Sequence, residues 1–401
     1  MKKVLIFSLA YFPKHVGGAE VSIKEITDRI IDIEFHLVCN RYDSALPREE
    51  KIGNVFVHRI GITTKDSTMG DLKRFPLAIN KPLYQFLAAW KAFSLHKKYR
   101  FDAIWAMMAQ STGVPSAIFK MAHPDVGYVL NLQEGDPTDY IEKKMRPLWP
   151  FFTRAFTKAD IVQPLSTFLA KWARARGFTG PIEIIPNAAA AKHFSQHYSD
   201  HELNAARQRL GKKPGDVFLV TTSRLVTKNA VDDVIKAMAF LPENVHFVIY
   251  GTGPDEHMLK ELIRKTGLEK RVHLLGHLSH QEMPLMLQAS DIFTRPSRSE
   301  GFGISFAEAM AAGLPVIATQ EGGISDFLFD AKRNPDKPTT GWAVDKDSPE
   351  QIAEAVKDII AHPEKVREVI ATAKKMVFEK YDWDIIARDM RDKVFAKLFA
   401  K

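Results

Sequence analysis

The residues best suited to chemistry lie in Arg295-Pro296-Ser297-Arg298-Ser299-Glu300-Gly301-Phe302-Gly303-Ile304-Ser305-Phe306-Ala307-Glu308-Ala309-Met310. Glu300 precedes a predicted helix and Glu308 lies on it. A carboxylate accepts hydrogen bonds from vicinal hydroxyls, so Glu308 suits a ribose diol and Glu300 the hydroxyls of a sugar. The free N–H groups of Gly303, Ile304 and Ser305 open the helix, where they can hold a phosphate. Gly301 and Gly303 bracket Phe302, which is expected to be exposed. Two carboxylates also suit a glycosidase acid/base pair. Phosphate-ready cations and glycine turns elsewhere argue against that reading.

Those cations stand in Thr222-Ser223-Arg224-Leu225-Val226-Thr227-Lys228-Asn229, where Arg224 and Lys228 together suit a diphosphate, although the segment taken alone reads more readily as solvated surface charge. Tyr250-Gly251-Thr252-Gly253-Pro254 and Leu275-Gly276-His277-Leu278 read either as turns or as places where a flat base lies against backbone. His15-Val16-Gly17-Gly18-Ala19-Glu20 offers a helix N-terminus and close backbone approach, but also fits a tight strand-to-helix turn. It lacks the G-x-G-x-x-G spacing, which disfavours a nicotinamide oxidoreductase.

Such groups need strand ends and helix starts to position them. Short apolar runs supply the strands: Val4–Leu9, Glu34–Cys39, 54–60, 103–107, 127–132, 160–163 and 182–185, then 216–222, 245–250, 272–275, 291–294 and 315–318. Amphipathic segments between them read as helices, the signature of parallel sheets covered on both faces. The rhythm breaks at Pro186-Asn187-Ala188-Ala189-Ala190-Ala191 and restarts, giving two doubly wound α/β domains. The chain has 401 residues, 45% hydrophobic and 26% charged, which excludes disorder and fibrous folds. One cysteine, Cys39, excludes an intrachain disulfide and fits a reducing compartment. Met1-Lys2-Lys3 followed by Val4 to Tyr11 imitates a signal peptide, but the apolar stretch is short and Pro13 and Lys14 follow it. A buried first strand is the favoured reading. No run of 18 apolar residues is present to span a membrane. The stretch from Ser348 to Lys401 is helical by pattern, interrupted at Tyr381-Asp382-Trp383. Beyond the break Ile385, Ile386, Met390, Val394 and Leu398 share one face.

Taken together these segments resemble the retaining nucleotide-sugar glycosyltransferases of family four, the glycogen-synthase-like group. The stretch from Leu274 to Asp326 is the most specific. It holds the Glu-x7-Glu element as Glu300 and Glu308, then Ala309-Met310-Ala311-Ala312-Gly313-Leu314-Pro315-Val316-Ile317-Ala318, and Gly322-Gly323. The resemblance implies the GT-B architecture: two facing Rossmann-like parallel-sheet domains with an interdomain cleft and a C-terminal helix crossing back. Residues 1–190 would form the acceptor-binding domain, 191–380 the donor-binding domain, and 381–401 the returning helix. Arg224, Lys228 and Glu300 would be catalytic. Gly17, Gly18, Leu278, Gly301, Phe302, Gly303, Ile304, Ser305 and Glu308 would bind the donor, with the backbone at His277 and Leu278 facing the base.

Three positions depart from the family's pattern. Ser223 stands where a glycine usually precedes the phosphate arginine. Asn229 stands at the phosphate lysine's place, with Lys228 one residue earlier. In Asn131-Leu132-Gln133-Glu134-Gly135-Asp136, Gln133 replaces a histidine and has no proton to exchange at neutral pH. Gln133, Glu134 and Asp136 are the acceptor-side candidates. The family needs no metal and no cofactor, the nucleoside diphosphate sugar being a co-substrate with UDP the first expectation. The Asp345-Lys346-Asp347 run is expected to be solvated surface. The competing readings are a nucleotide-sugar binder without turnover and an epimerase of the same fold.

The charge is uneven. Lys+Arg number 56 and Asp+Glu 48, a net +8, and all of the excess lies in residues 1–190, with 26 basic and 18 acidic side chains. Residues 65–100 and 142–176 each carry eight basic and two acidic side chains among aromatics. Basic and aromatic together suit the surface of an anionic membrane, and the resemblance implies a glycan or lipid-linked acceptor met there, with the protein expected to be cytoplasmic at the membrane's inner face. A solvated face over core aromatics is the competing reading. Nucleic acid would suit the charge, but no reading motif is present. The expected role is in cell-surface polysaccharide or glycolipid synthesis.

Overall fold

The computed structural model describes residues 1–68 and 70–400. Two compact units are present: Met1–Asn187 with Trp383–Lys401, and Ala188–Asp382.

The first unit is built on seven strands: β1 (Lys2–Phe7), β2 (Ile33–Asn40), β3 (Glu49–Ile52), β4 (Val55–Ile60), β5 (Ala103–Met107), β6 (Gly127–Leu132) and β7 (Ile161–Pro164). They lie in the order β3-β4-β2-β1-β5-β6-β7, parallel except for β3, which pairs antiparallel with β4. Val4 faces Phe35 of β2 and Ala103 of β5 in register. Val4 to Phe7 and Ala103 to Met107 are buried, as strands covered on both faces must be. The signal-like start is therefore a central strand. Strand order reverses between β1 and β5, and α1 (Gly18–Arg29) and α3 (Ala109–Ala122) begin beyond their carboxyl ends. Between these two helices in sequence runs α2 (Asn80–Tyr99).

The strand expected at 182–185 makes only an isolated bridge, Ile182 to Val162. Pro181 and Pro186 flank it, and neither has an N–H to continue a ladder. The returning segment runs as a helix Trp383–Asp389, a π-helical turn Met390–Phe395 and a last turn Ala396–Phe399. Phe395 packs edge-on against Phe35 and Trp105, with centroids 5.9 and 5.6 Å apart. Leu398 fills the space left by Gly127, where a Cβ would lie 2.6 Å from its Cγ. Ion pairs Arg29–Asp384 and Arg391–Asp32, both 2.7 Å, flank the contact.

The second unit holds six parallel strands: β8 (Val217–Thr222), β9 (Val245–Tyr250), β10 (Val272–Gly276), β11 (Ile292–Arg295), β12 (Val316–Thr319) and β13 (Trp342–Val344). Their order is β10-β9-β8-β11-β12-β13, so direction reverses between β8 and β11. Ligands of such sheets bind beyond the strand ends at this point. The helix Ile304–Ala311 follows β11 and sets Phe306 edge-on against Phe293, centroids 5.7 Å apart, while Leu219, Phe247, Ile249 and Ile317 share a core with Val234 and Val356.

Candidate active site

In the second unit the carboxyl ends of β8, β9 and β10 and the helix Ile304–Ala311 enclose a cavity of about 280 Å³. Its walls are Thr222, Ser223, Arg224, Tyr250, Gly251, Thr252, His277, Leu278, Met283, Ser305 and Glu308. Two glycine turns shape it. Gly251 has φ +146°, and a Cβ there would lie 1.7 Å from the carbonyl oxygen of Ser223. Only glycine allows these two strand ends to meet so closely. Gly303, at φ +90°, caps the helix. Thr222 Oγ1, Ser223 Oγ and Tyr250 OH are buried at the wall without a protein partner.

Of the residues expected from sequence, Arg224, Leu278, Ser305 and Glu308 meet in this cavity. Burial pushes the Glu308 carboxyl up to about 7, against the pull of the Arg295 charge. His280 Nε2 stands 3.9 Å from Glu308 Oε1. Arg224 is exposed, and its carbonyl accepts from Asn229 Nδ2 at 2.8 Å. Asn229 is buried, so it braces the Arg224 loop instead of reaching outward. Lys228 sits on the 3-10 turn Thr227–Asn229 and does not line the cavity.

Glu300 to Ile304 form the loop leading into the helix. The Glu300 carbonyl accepts from Gly323 N–H at 2.9 Å, and Gly322, at φ +60°, leaves the room for it. One Glu300 carboxylate oxygen accepts from Gly301 N–H at 3.0 Å and the other lies 2.9 Å from Arg295 Nη2. Phe302 corrects its expectation: its ring is 2% exposed and packs 5.3 Å from both Phe327 and Tyr381. An aromatic cluster behind the loop takes the ring, so Phe302 offers the site its backbone alone. Arg295 had no role in the sequence reading. The signal was a charged residue ending the otherwise uncharged strand Ile292-Phe293-Thr294.

The acceptor-side candidates Gln133, Glu134 and Asp136 lie in the first unit, as do Gly17 and Gly18, which were expected to bind the donor. Gly17 caps α1, and its N–H donates to Glu20 Oε2 at 2.7 Å. Gly18 is the first residue of α1, and both glycines are exposed. Gln133 accepts from Asn187 Nδ2 at 3.2 Å and reaches Ser22 Oγ at 3.4 Å. Glu134 is buried at the start of α3, where Gln110 N–H donates to it at 3.4 Å and burial pushes its carboxyl to about 7. Asp136 follows, half-buried. The two basic-aromatic stretches differ. In residues 142–176, Phe152 and Phe156 are core, and Arg176 stacks on Trp149 at 4.1 Å. In residues 65–100, Phe75, Phe86 and Trp90 are exposed. Among the described residues no helix is long and apolar enough to cross a membrane.

The two parallel sheets with their surrounding helices are those of the GT-B fold. Residues 204–376 match the family of glycosyl transferases group 1, and residues 17–188 match the glycosyl transferase 4-like domain. The chain belongs to this glycosyltransferase family. A GDP-mannose-dependent alpha-(1-6)-phosphatidylinositol monomannoside mannosyltransferase of Mycobacterium tuberculosis is 29% identical over 244 residues, 58% of this chain. The match spans only 61% of that relative's length. A glycosyltransferase of Methanocaldococcus jannaschii is 25% identical over 99% of this chain and 98% of its own. Sucrose-phosphate synthase from Thermosynechococcus elongatus has the same fold, with a TM-score of 0.80 over 100% of both chains at 18% identity.

Proposed function

We propose that the protein moves a sugar from a nucleoside diphosphate sugar to a hydroxyl of a glycan or lipid-linked acceptor, with retention at the anomeric carbon and without a metal ion. The observation that carries this reading is the meeting of Arg224, Ser305 and Glu308 with strand-end backbone in one cavity. Glu308 accepts from the ribose diol, and the base lies against backbone at Gly251–Thr252 and His277–Leu278. Arg224 and the amides from Gly303 to Ser305 take the diphosphate, and Glu300 accepts from sugar hydroxyls. Gly17 and Gly18 face the donor, while Gln133, Glu134 and Asp136 serve the acceptor side.

The acceptor oxygen attacks the anomeric carbon on the face the diphosphate leaves. The bond to the phosphate oxygen breaks, the glycosidic bond forms, and the acceptor's proton passes to the departing phosphate. Arg224 and the helix amides stabilise charge as it builds on that phosphate. Gln133 takes no part in the proton transfer.

The acceptor is met at an anionic membrane surface, at its cytoplasmic face, in polysaccharide or glycolipid synthesis. Supporting this, Leu83, Phe86, Leu87 and Trp90 are all exposed on α2 at helical spacing. Phe75 and the exposed cations Lys73, Arg74, Lys97 and Lys98 flank them. UDP is the first expectation for the nucleotide, and the mycobacterial relative's name specifies GDP-mannose and a phosphatidylinositol mannoside.

A melting panel of UDP-, GDP- and ADP-sugars, followed by product analysis with and without EDTA, tests the reading. One class of donor should raise the melting temperature and give transfer that EDTA leaves intact. No shift with any donor would refute it. A shift without transfer or hydrolysis would favour binding without turnover, a reading that Gln133 and Asn229 motivate.

A further inference from the structure

Behind the loop of Glu300 lies a buried cation whose role extends the proposed function and rests on it. Arg295 ends β11 and is 7% exposed. Its Nη2 lies 2.9 Å from Glu300 Oε2, its Nη1 donates to Ser305 Oγ at 2.7 Å, and its guanidinium stacks on Phe306 at 4.2 Å. Nε has no partner. A Cβ on Gly303 would stand 3.1 Å from Nη2, so the loop glycine leaves this fork its space.

Stability alone is a poor reason for such an arginine. Burying a cation is costly, and a well-packed apolar residue often replaces a buried ion pair without loss. The hydrogen bonds suggest another reason. Arg295 engages one oxygen of Glu300 and Gly301 N–H the other, which fixes the carboxylate plane and leaves its remaining lone pairs for outside donors. Arg295 also fills a lone pair of Ser305 Oγ, so the hydroxyl proton points elsewhere, and Ser305 lines the nucleotide cavity. One planar fork thus orients an acceptor and a donor at once, which a lysine cannot do.

We propose that Arg295 is a positioning residue: it holds Glu300 as a fixed acceptor and Ser305 as a fixed donor, and so sets the discrimination between a nucleoside diphosphate sugar and the bare nucleoside diphosphate.

The test is calorimetric titration of the full chain with UDP-glucose and UDP, and with GDP-mannose and GDP, using the pair that wild type binds more tightly. In Arg295→Met the ratio of the two affinities should shift against the sugar form by about tenfold, while bare-nucleotide affinity stays within about threefold. Arg295→Lys should show the same shift. Glu300→Gln should shift the ratio in the same direction, and the double variant should fall short of the sum of the two single shifts, because Arg295 acts in part through Glu300. An unchanged ratio in Arg295→Met, or both affinities falling together with the melting temperature, would overturn the proposal. Should Arg295→Met fail to fold, Arg295→Lys is read by the same ratio. Wild type binding none of the four probes would sink the function reading and this inference with it, a result distinct from an unchanged ratio.

Discussion

At the scale of single residues, Glu308 sets how the site responds to pH. Burial raises its carboxyl from 4.5 to about 7, and a ribose diol needs the ionised form as acceptor. Nucleotide binding should therefore release a proton below pH 7 and weaken as pH falls from 8 to 6. Calorimetry in two buffers of different ionisation enthalpy reads both. The stability sign follows from the same shift. The folded chain holds this proton between pH 4.5 and about 7 and the unfolded chain does not, so stability falls as pH rises through that window. Glu308→Gln removes the cost of burying the charge. It should raise stability at pH 8 by about 1–3 kcal/mol, leave it unchanged at pH 4, and abolish transfer. A melt that is lower at pH 8 would contradict this. Glu300, Glu308 and Arg224 were legible in the sequence because their types and spacing belong to a recognisable motif. Arg295 was not, because its partners Glu300 and Ser305 come to it only through the loop's fold. Phe302 was misread because flanking glycines say nothing of the ring's aromatic neighbours.

At the scale of elements, strands buried on both faces were readable as unbroken apolar runs, and β1, β5, β8 and β9 are of that kind. β3 is the short polar run Glu49-Glu50-Lys51-Ile52 and β13 has three residues, so neither carries a pattern. The strand ends that make the site depend on glycine. Gly251→Ala drives a Cβ into the Ser223 carbonyl and should cost about 2–4 kcal/mol, with nucleotide affinity lost even where the chain still folds. Denaturant melts and nucleotide titration of that variant check both effects. α2 offers a contrasting case. Phe86 and Trp90 are 52% and 77% exposed, so replacing both by serine should leave the melting temperature unchanged. The same change should lower sedimentation with anionic vesicles about tenfold or more. Equal sedimentation of wild type with neutral vesicles would remove charge from the account.

At the scale of the whole chain, the +8 lies entirely in residues 1–190, while the unit that holds the strand-end cavity is close to neutral. The first unit is also discontinuous, since Trp383–Lys401 belongs to it and buries Met390, Val394, Phe395 and Leu398. A chain ending at Asp382 should lose amide protection in β2, β5 and β6, where Phe395 and Leu398 pack, and keep it in β8, β9 and β11. Hydrogen exchange followed by strand would show it, and uniform loss in both units would contradict it. Phe395→Ala alone should cost about 3–5 kcal/mol in the first unit.

That discontinuity inverts the order of assembly during synthesis. A ribosome delivers residues 1–187 first, but the last layer of their sheet is made only after all of 188–382 has emerged. The second unit is one uninterrupted stretch and can finish folding while the first still lacks its closing segment. Through that interval Phe35, Trp105 and the hollow beside Gly127 stand uncovered. Residues 383–401 are the segment whose arrival covers them.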